Sequence, residues 1–311
     1  MQRVLIVYYS NTGSTEALLR KLTHHLELDP DISLTWLRLR PAREYPFPWT
    51  LSALFDTAPE TVGETPLELS QPGADELGDF DLIILGWQVW WLRPSAPVTA
   101  FVRSQSGRVL RGARVVLVGC SRQMWRSALA RLRAALADAG ALCGDSIMVR
   151  HEGSGATLVT TPLMLLTGRR AWPAFLPQPV LRTQEVEAAG ACGRRLAEAK
   201  HLWNGPETPS LLGELAPGSF DRAYLAPEAV ASLYMSLWRP VFSRLPRRGG
   251  WVRGLVVGAW AVGFVIGVVT VVPGWWLIYA SLGWLAAPGS GGERPGLRGA
   301  VANRPVGGTG S

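Results

Sequence analysis

Six residues near the start of the chain, Ser10-Asn11-Thr12-Gly13-Ser14-Thr15, carry four hydroxyls and one glycine. Residues of this type suit a phosphate group. Hydroxyls and the free backbone N–H groups at a helix start donate to anionic oxygens, and glycine lets the backbone come close. The loop has no lysine, so it is not a nucleotide P-loop, and it lacks the GxGxxG spacing of a dinucleotide site. A Ser/Thr-rich stretch can also simply cap a helix. Its position in the fold decides between the two.

Two further groups could act beside such a loop. Trp87-Gln88-Val89-Trp90-Trp91 offers three indoles, and aromatic faces stack on flat, apolar ligand rings. The same tryptophans could instead form a core or rim cluster beneath the 41–66 stretch. Trp90 or Trp91 is the candidate for ring contact, with Met124 and Trp125 able to close the other side. Cys120-Ser121-Arg122 forms the second group. Arg93 and Arg122 could bind an acidic group, although solvated loop arginine is the plainer assignment, and Cys120 reads as a small buried residue. No nucleophile–base pair is visible. The three cysteines and four histidines have no metal-ligand spacing, so neither a metal site nor a disulfide framework is expected.

The elements that must position these groups follow from periodicity. Val4–Tyr9 is a continuous apolar run, as in a strand buried on both faces. Glu16–Leu26 carries an apolar stripe and predicts a helix. Ile32–Leu39 alternates and predicts a second strand. Residues 41–75, rich in Pro and aromatics, predict an ordered insertion. Asp81–Gly86 and Arg114–Gly119 predict two more buried strands, and Ser146–Val149 a fifth. Helices are expected from Val98, over Trp125–Ala139 with Gly140 just beyond, and over Glu185–Leu202. Strands alternating with helices give an α/β fold with a doubly wound parallel sheet of order 2-1-3-4-5. Ligands bind such sheets at the switch point between strands 1 and 3, which puts Ser10–Thr15 in the right place for a phosphate.

Val4-Leu5-Ile6-Val7-Tyr8-Tyr9-Ser10-Asn11-Thr12-Gly13-Ser14-Thr15 resembles the opening of the flavodoxin family. In that family this loop wraps the FMN phosphate. Asp81–Gly86 with Trp87–Trp91, Pro94 and Pro97-Val98 is similar to its third strand and flavin loop, and Gly119–Trp125 to its last flavin loop. The likeness covers about residues 2–200. It implies an FMN-binding domain over 1–202, with Ser10–Thr15, Trp87–Trp91 and Cys120–Arg122 around the cofactor. Tyr45-Pro46-Phe47-Pro48-Trp49, Phe55-Asp56, Pro59-Glu60-Thr61-Val62, Gln88-Val89-Trp90, Met124-Trp125 and Thr160-Thr161-Pro162 resemble a narrower branch, the dialkylresorcinol condensing enzymes. That branch belongs to resorcinol-lipid and aryl-polyene biosynthesis. It implies a lipophilic substrate, ring aromatisation and an acyl-carrier or ketosynthase partner. The Cys/His set that carbon–carbon condensation would require is missing, so redox chemistry is expected instead, with NAD(P)H as a candidate electron donor. A quinone reductase and a non-catalytic scaffold are the alternative functions.

The C-terminal third departs from a soluble electron carrier. Residues 203–250 predict a basic linker with a short amphipathic stretch around Ala229–Trp238. Leu255–Val272 then runs eighteen residues without a charge, Pro273-Gly274 interrupts it, and Trp275–Ala287 resumes. An uncharged run near the ~20 residues that cross a bilayer predicts a membrane segment over 251–287. One span or a tight hairpin at Pro273-Gly274 are both open. Arg244, Arg247, Arg248 and Arg253 before it predict a cytoplasmic N-terminal domain on a bacterial inner membrane. No signal peptide is expected from the opening residues. The Gly/Pro tail over 288–311 is expected to be disordered. The net charge of +7 comes almost wholly from scattered arginines. With no basic stripe interleaved with stacking aromatics, nucleic-acid binding is not expected.

Overall fold

Apolar runs without a polar alternation must be covered on both faces, and they become the central strands here. The computed structural model describes residues 1–70, 74–104, 106–152, 163–169, 180–204, 210–213, 218, 220, 222–246 and 249–285. Thr160-Thr161-Pro162, Arg247, Arg248 and the tail from Pro288 lie outside the described residues. Strand β1 (Gln2–Tyr8) lies between β2 (Ile32–Arg38) and β3 (Leu82–Trp90), parallel to both. A two-residue strand, β4 (Arg93–Pro94), turns back on the end of β3. Strands β5 (Arg114–Ser121) and β6 (Leu142–Arg150) complete the sheet. Its order is β2-β1-β3-β5-β6, with β4 off the path. Counting the five parallel strands alone, that is the expected 2-1-3-4-5 order.

The strand β6 begins earlier than the apolar pattern Ser146–Val149 indicates. Its first half contains Asp145, which is buried, and the register slips between Val115 and Val116. A buried carboxylate is tolerated only with partners. Here Ser210 Oγ and the backbone N–H groups of Leu211 and Leu212 all donate to it. Those partners come from far along the chain, so local sequence could not reveal the strand.

Helices cover both faces. On one, α1 (Ser14–Glu27) contributes Leu18, Leu19, Leu22 and Leu26 to the core. A later helix, α7 (Thr183–Glu198), packs against it with Ala189, Cys192 and Leu196. A Cβ at Gly193 would run into the Leu22 carbonyl oxygen. Only glycine lets these two helix backbones approach so closely. On the other face, α5 (Ala96–Arg103) and α6 (Arg126–Asp138) bury Val98, Phe101, Leu129, Leu132 and Leu136 against β3 and β5. Among the described residues, the 41–75 insertion holds the short helices α2 (Leu51–Phe55) and α3 (Ala58–Val62), and α4 (Ala74–Leu77) runs across its end.

The stretch expected as a linker carries an eighteen-residue helix, α8 (Leu225–Phe242), docked on the domain along its length. The Glu228 carboxylate accepts from Ser127 N at 2.6 Å and from Ser127 Oγ at 2.9 Å. Arg93 donates to Ser236 Oγ at 3.0 Å, and Arg239 pairs with Glu64 at 3.3 Å. These long-range partners, invisible in the local sequence, turn a weak amphipathic pattern into a fixed element.

The last helix, α9 (Trp251–Leu285), runs through Pro273 without a turn. Proline removes one backbone hydrogen bond there, and apolar helices tolerate that loss. The hairpin considered at Pro273-Gly274 is therefore not formed. Instead α8 and α9 form one. Tyr234 Oη donates to the Trp260 carbonyl at 2.7 Å, and Trp275 Nε1 donates to the Ala223 carbonyl at 2.6 Å. Successive α9 contacts thus run backwards along α8, which makes the pair antiparallel. Among the described residues, Trp251–Tyr279 is long and apolar enough by composition to cross a membrane.

Candidate functional site

The loop after β1 lies at the C-terminal edge of the sheet, at the switch point where β1 and β3 lead to opposite faces. Gly13 holds a left-handed backbone, with φ of 85°. It begins α1, and no side chain caps that helix start. A helix start left without a side-chain acceptor keeps N–H donors for an anion. Ser10 is buried, and its Oγ has no hydrogen-bond partner among the described residues. A buried hydroxyl without a partner is costly in an isolated protein. A phosphate oxygen here would satisfy it. Thr12 Oγ1 and Ser14 Oγ sit 3.3 Å apart on the same loop. The residues present therefore fit a phosphate monoester.

Thr15 does a different job from the one its hydroxyl promises. It is fully buried, takes a hydrogen bond from Gln88 Nε2 at 3.0 Å and lies 3.5 Å from Cys120 Sγ. One threonine thereby ties together the ends of β1, β3 and β5. It joins Gln88 and Cys120 to the loop and faces the core rather than a ligand. Burial pushes the Cys120 thiol pKa up, so this cysteine stays a protonated packing residue rather than a nucleophile.

The tryptophan run splits three ways: strand alternation separates Trp87 from Trp90, and the backbone turns at Trp91, just beyond the end of β3. Trp87 is fully enclosed in the core between β3 and the α5–α6 layer, so it has no free face for a ring. Val89 pairs with Pro94 in the β3–β4 turn. Trp90 stands edge-on to Tyr9, Tyr45 and Trp49 at centroid distances of 5.7, 5.1 and 5.9 Å. Tyr45 and Trp49 stack at 5.4 Å. Trp49 Nε1 donates to Asn11 Oδ1 at 2.8 Å, and Asn11 Nδ2 reaches Tyr9 Oη at 3.3 Å. These aromatic residues thus border the phosphate-type loop directly. Burial lifts the Tyr9 hydroxyl pKa to about 12, so it remains neutral. Tyr45 and Trp49 were not among the candidate site residues. The signal for them was present, as two large aromatics in a Pro-rich insertion, but nothing local says which loop they cover.

Trp91 turns away, with a positive φ of 49°. It stacks on Phe55 at 5.5 Å, meets Trp260 and Phe264 of α9, and donates from Nε1 to Thr57 Oγ1 at 2.8 Å. Met124 packs into that same α9 cluster, and Trp125 is buried against Phe220. Neither therefore closes the far side of a ring site. Arg93, expected as a solvated loop residue, is only 1% exposed and lies beneath α8. Burial, with Arg131 nearby, lowers its pKa to about 10.

At the end of β5, Ser121 is buried and its Oγ donates to the Gln123 carbonyl at 3.1 Å. Arg122 beside it has a buried Nε without a partner among the described residues, and burial lowers its pKa to about 10. His151, at the end of β6, is buried with Nδ1 3.2 Å from the Ser121 carbonyl. Burial and then the Arg122 charge hold its pKa at about 4, against an ordinary 6.5. The unfolded chain therefore takes up this proton before the folded one does. Stability from neutral His151 is complete above pH 6.5 and drains away as the pH falls towards 4. Denaturant midpoints measured across that window should fall for the native chain. The same slope in a His151→Gln variant would remove His151 as the cause.

No family model matches the chain, and no curated protein does. Among solved structures it is similar to a flavoprotein from Bacteroides eggerthii, at 16% identity over 48% of this chain and 88% of that one, with a TM-score of 0.37. It is also similar to an archaeal flavodoxin, at 11% identity over 64% of this chain and 99% of the other, TM-score 0.36. A third likeness is to two-electron reduced Megasphaera elsdenii flavodoxin, at 18% identity over 47% and 84%, TM-score 0.30. The strand order and the loop at its switch point decide the architecture. The fold is flavodoxin-like. The dialkylresorcinol branch finds no support among these relatives.

Proposed function

We propose that the chain is a membrane-associated, FMN-dependent oxidoreductase acting on a lipophilic small molecule. One observation carries this reading. Adjacent residues, Trp90 and Trp91, belong to two different surfaces. Trp90 joins the aromatic group beside the phosphate-type loop, and Trp91 joins the cluster that receives the apolar helix α9. The redox site and the apolar helix thus share a wall, which suits a substrate that arrives from lipid.

Ser10, Ser14 and the N–H groups at the start of α1 would hold the FMN phosphate. Tyr45, Trp49 and Trp90 would border its ring, and Asn11 would be kept in place by Trp49. FMN, when bound, would supply two-electron chemistry by accepting a hydride from the substrate, whose second hydrogen leaves as a proton. The chain's own part is to exclude water with the aromatic group and to offer the Arg122 charge near the β5 end. That charge favours an anionic ring or an acidic substrate group. Removing two hydrogens from a cyclic dione to give a resorcinol ring, the role implied by the narrower resemblance, is within this chemistry. An acyl-carrier or ketosynthase partner belongs to that same reading, as does a cytoplasmic face of a bacterial inner membrane.

Purification in mild detergent tests the proposal. The expected protein is yellow, releases FMN in a ratio near one per chain on denaturation, and is bleached by dithionite. A protein that stays colourless when titrated with excess FMN overturns it. Reduction by NAD(P)H followed by quinone turnover would redirect the substrate assignment to a quinone.

A further inference from the structure

Apolar residues on a docked helix normally face the body that holds it. Helix α8 does the opposite on one side. Its domain-facing side carries Glu228, Ser232, Ser236 and Arg239, which bond to α6, β4 and the insertion. Its second side carries Ala231, Tyr234 and Trp238, packed in the cluster with α9. Its third side, opposite the polar contacts at helical spacing, carries Val230, Leu233, Leu237 and Val241. All four are exposed, Leu233 at 61% and Leu237 at 66%. Alongside, α9 exposes Leu255, Val262, Ile266 and Val269. Rows of exposed apolar side chains on two paired helices are rarely left to water.

The way α9 is held limits how a bilayer can take up that surface. At its start, Arg253 is 4% exposed and donates to Asp56 at 2.6 Å and to Glu60 at 2.8 Å. Twenty-two residues later, Trp275 bonds to the Ala223 carbonyl and Trp276 meets Tyr224 edge-on. That interval is about 33 Å of helix, close to the ~30 Å of hydrocarbon in a bilayer. Between these ends Trp260 lies against Tyr234 and Phe242 of α8, which is itself docked along the domain. A crossing along α9 would leave Arg253 near the headgroups but carry the polar row of α8 into hydrocarbon, Glu228 with Ser127 and the Arg93 guanidinium with Ser232 and Ser236. It would also bring Glu64 with Arg103, Arg131 and Arg239. Ion pairs at that depth are strongly disfavoured.

We propose that α8 and α9 lie together in the plane of one leaflet, their shared apolar face in the acyl region, and hold the domain flat on the membrane without crossing it. The occupant of the face is an anionic lipid leaflet. Exposed arginines flank α8 at both ends, Arg126 and Arg222 near its start and Arg244 beyond its end. Amphipathic helices that lie in the interface carry this combination of an apolar face and basic flanks. The inference rests on the membrane association proposed above and adds its geometry. It also orients the domain, since Trp91, one residue beyond the aromatic group of the redox site, packs against α9 itself.

The test uses the full chain with a protease-cleavable tag at its C terminus, expressed in bacteria. In inverted inner-membrane vesicles, protease should remove the tag. In spheroplasts, where only the periplasmic side is open, the tag should survive. Cleavage from the periplasmic side overturns the in-plane arrangement but leaves membrane association standing. A chain recovered wholly in the soluble fraction overturns both. A second arm floats the purified chain with vesicles of phosphatidylethanolamine and phosphatidylglycerol. The Leu233→Asp/Leu237→Asp variant should lose at least tenfold in vesicle-bound fraction, with unchanged near-UV circular dichroism. Both residues are exposed, so the fold does not depend on them. A crossing helix anchors irrespective of α8, so undiminished flotation overturns the proposal.

Discussion

Replacing Gly13 with valine should abolish flavin retention while leaving the sheet folded. Two effects add. Gly13 sits at φ 85°, a conformation that β-branched residues rarely adopt, at a cost of about 1–3 kcal/mol. The added side chain also stands where the backbone of the loop must approach the phosphate. With binding strain and lost N–H contacts together, an FMN affinity at least a hundredfold weaker is expected, which corresponds to about 2.7 kcal/mol. Fluorescence titration with FMN measures it, and circular dichroism of the flavin-free chain checks the fold. A Gly13→Ala variant should fall between the two, since alanine pays the φ penalty with less bulk. Equal FMN affinity in native and valine forms would remove the loop from the binding site. It would then favour a scaffold role for the domain.

The loop was legible in the sequence because everything that makes it recognisable is local. A buried strand, four hydroxyls, a glycine and a helix stripe follow each other within about twenty residues, and periodicity alone orders them. The five parallel strands were legible for the same reason, except the end of β3, which runs on through Trp87–Trp90 where a loop was expected, and the first half of β6. There Asp145 breaks the apolar run and finds its partners at Ser210–Leu212. Side-chain assignments fared differently. Trp87, Trp90 and Trp91 look alike in sequence, yet one is core, one borders the loop and one receives α9. The alternation of a strand separates Trp87 from Trp90 but would leave Trp91 on the side of Trp87, so something else must turn Trp91 away. A positive φ at Trp91 and Leu92 does that, and no residue type there announces it. Arg93 was misjudged because its partners, Ser232 and Ser236, lie about 140 residues away. The α8 segment looked like a linker because its amphipathic pattern has two apolar sides rather than one. One of these packs on α9 and the other remains exposed, so no single stripe stands out.

Trp260→Ala should detach α9 from the domain without unfolding the sheet. Trp260 is fully buried, in edge contact with Trp91 at 4.9 Å and Phe242 at 5.6 Å, and stacked on Phe264 at 5.6 Å. Truncating a buried tryptophan to alanine costs about 3–5 kcal/mol, and here the loss falls on one interface. The core clusters around the sheet contain no residue of α9. They should keep their cooperative transition, while the α8–α9 unit opens first. Hydrogen exchange is the sensitive readout. Protection should fall along 251–276 and at α8, and remain near native over β1, β3 and β5. The cluster also holds the Trp91 ring, between Phe55, Trp260 and Phe264. Freed from Trp260, Trp91 can loosen the turn that carries Trp90, so flavin affinity should fall several-fold though neither Trp260 nor α9 borders the loop. Global unfolding at the native midpoint with uniform exchange would show instead that α9 is an independent appendage. In that case the redox site and the apolar helix would not be mechanically coupled, and the shared wall on which the functional proposal stands would carry no consequence for the flavin.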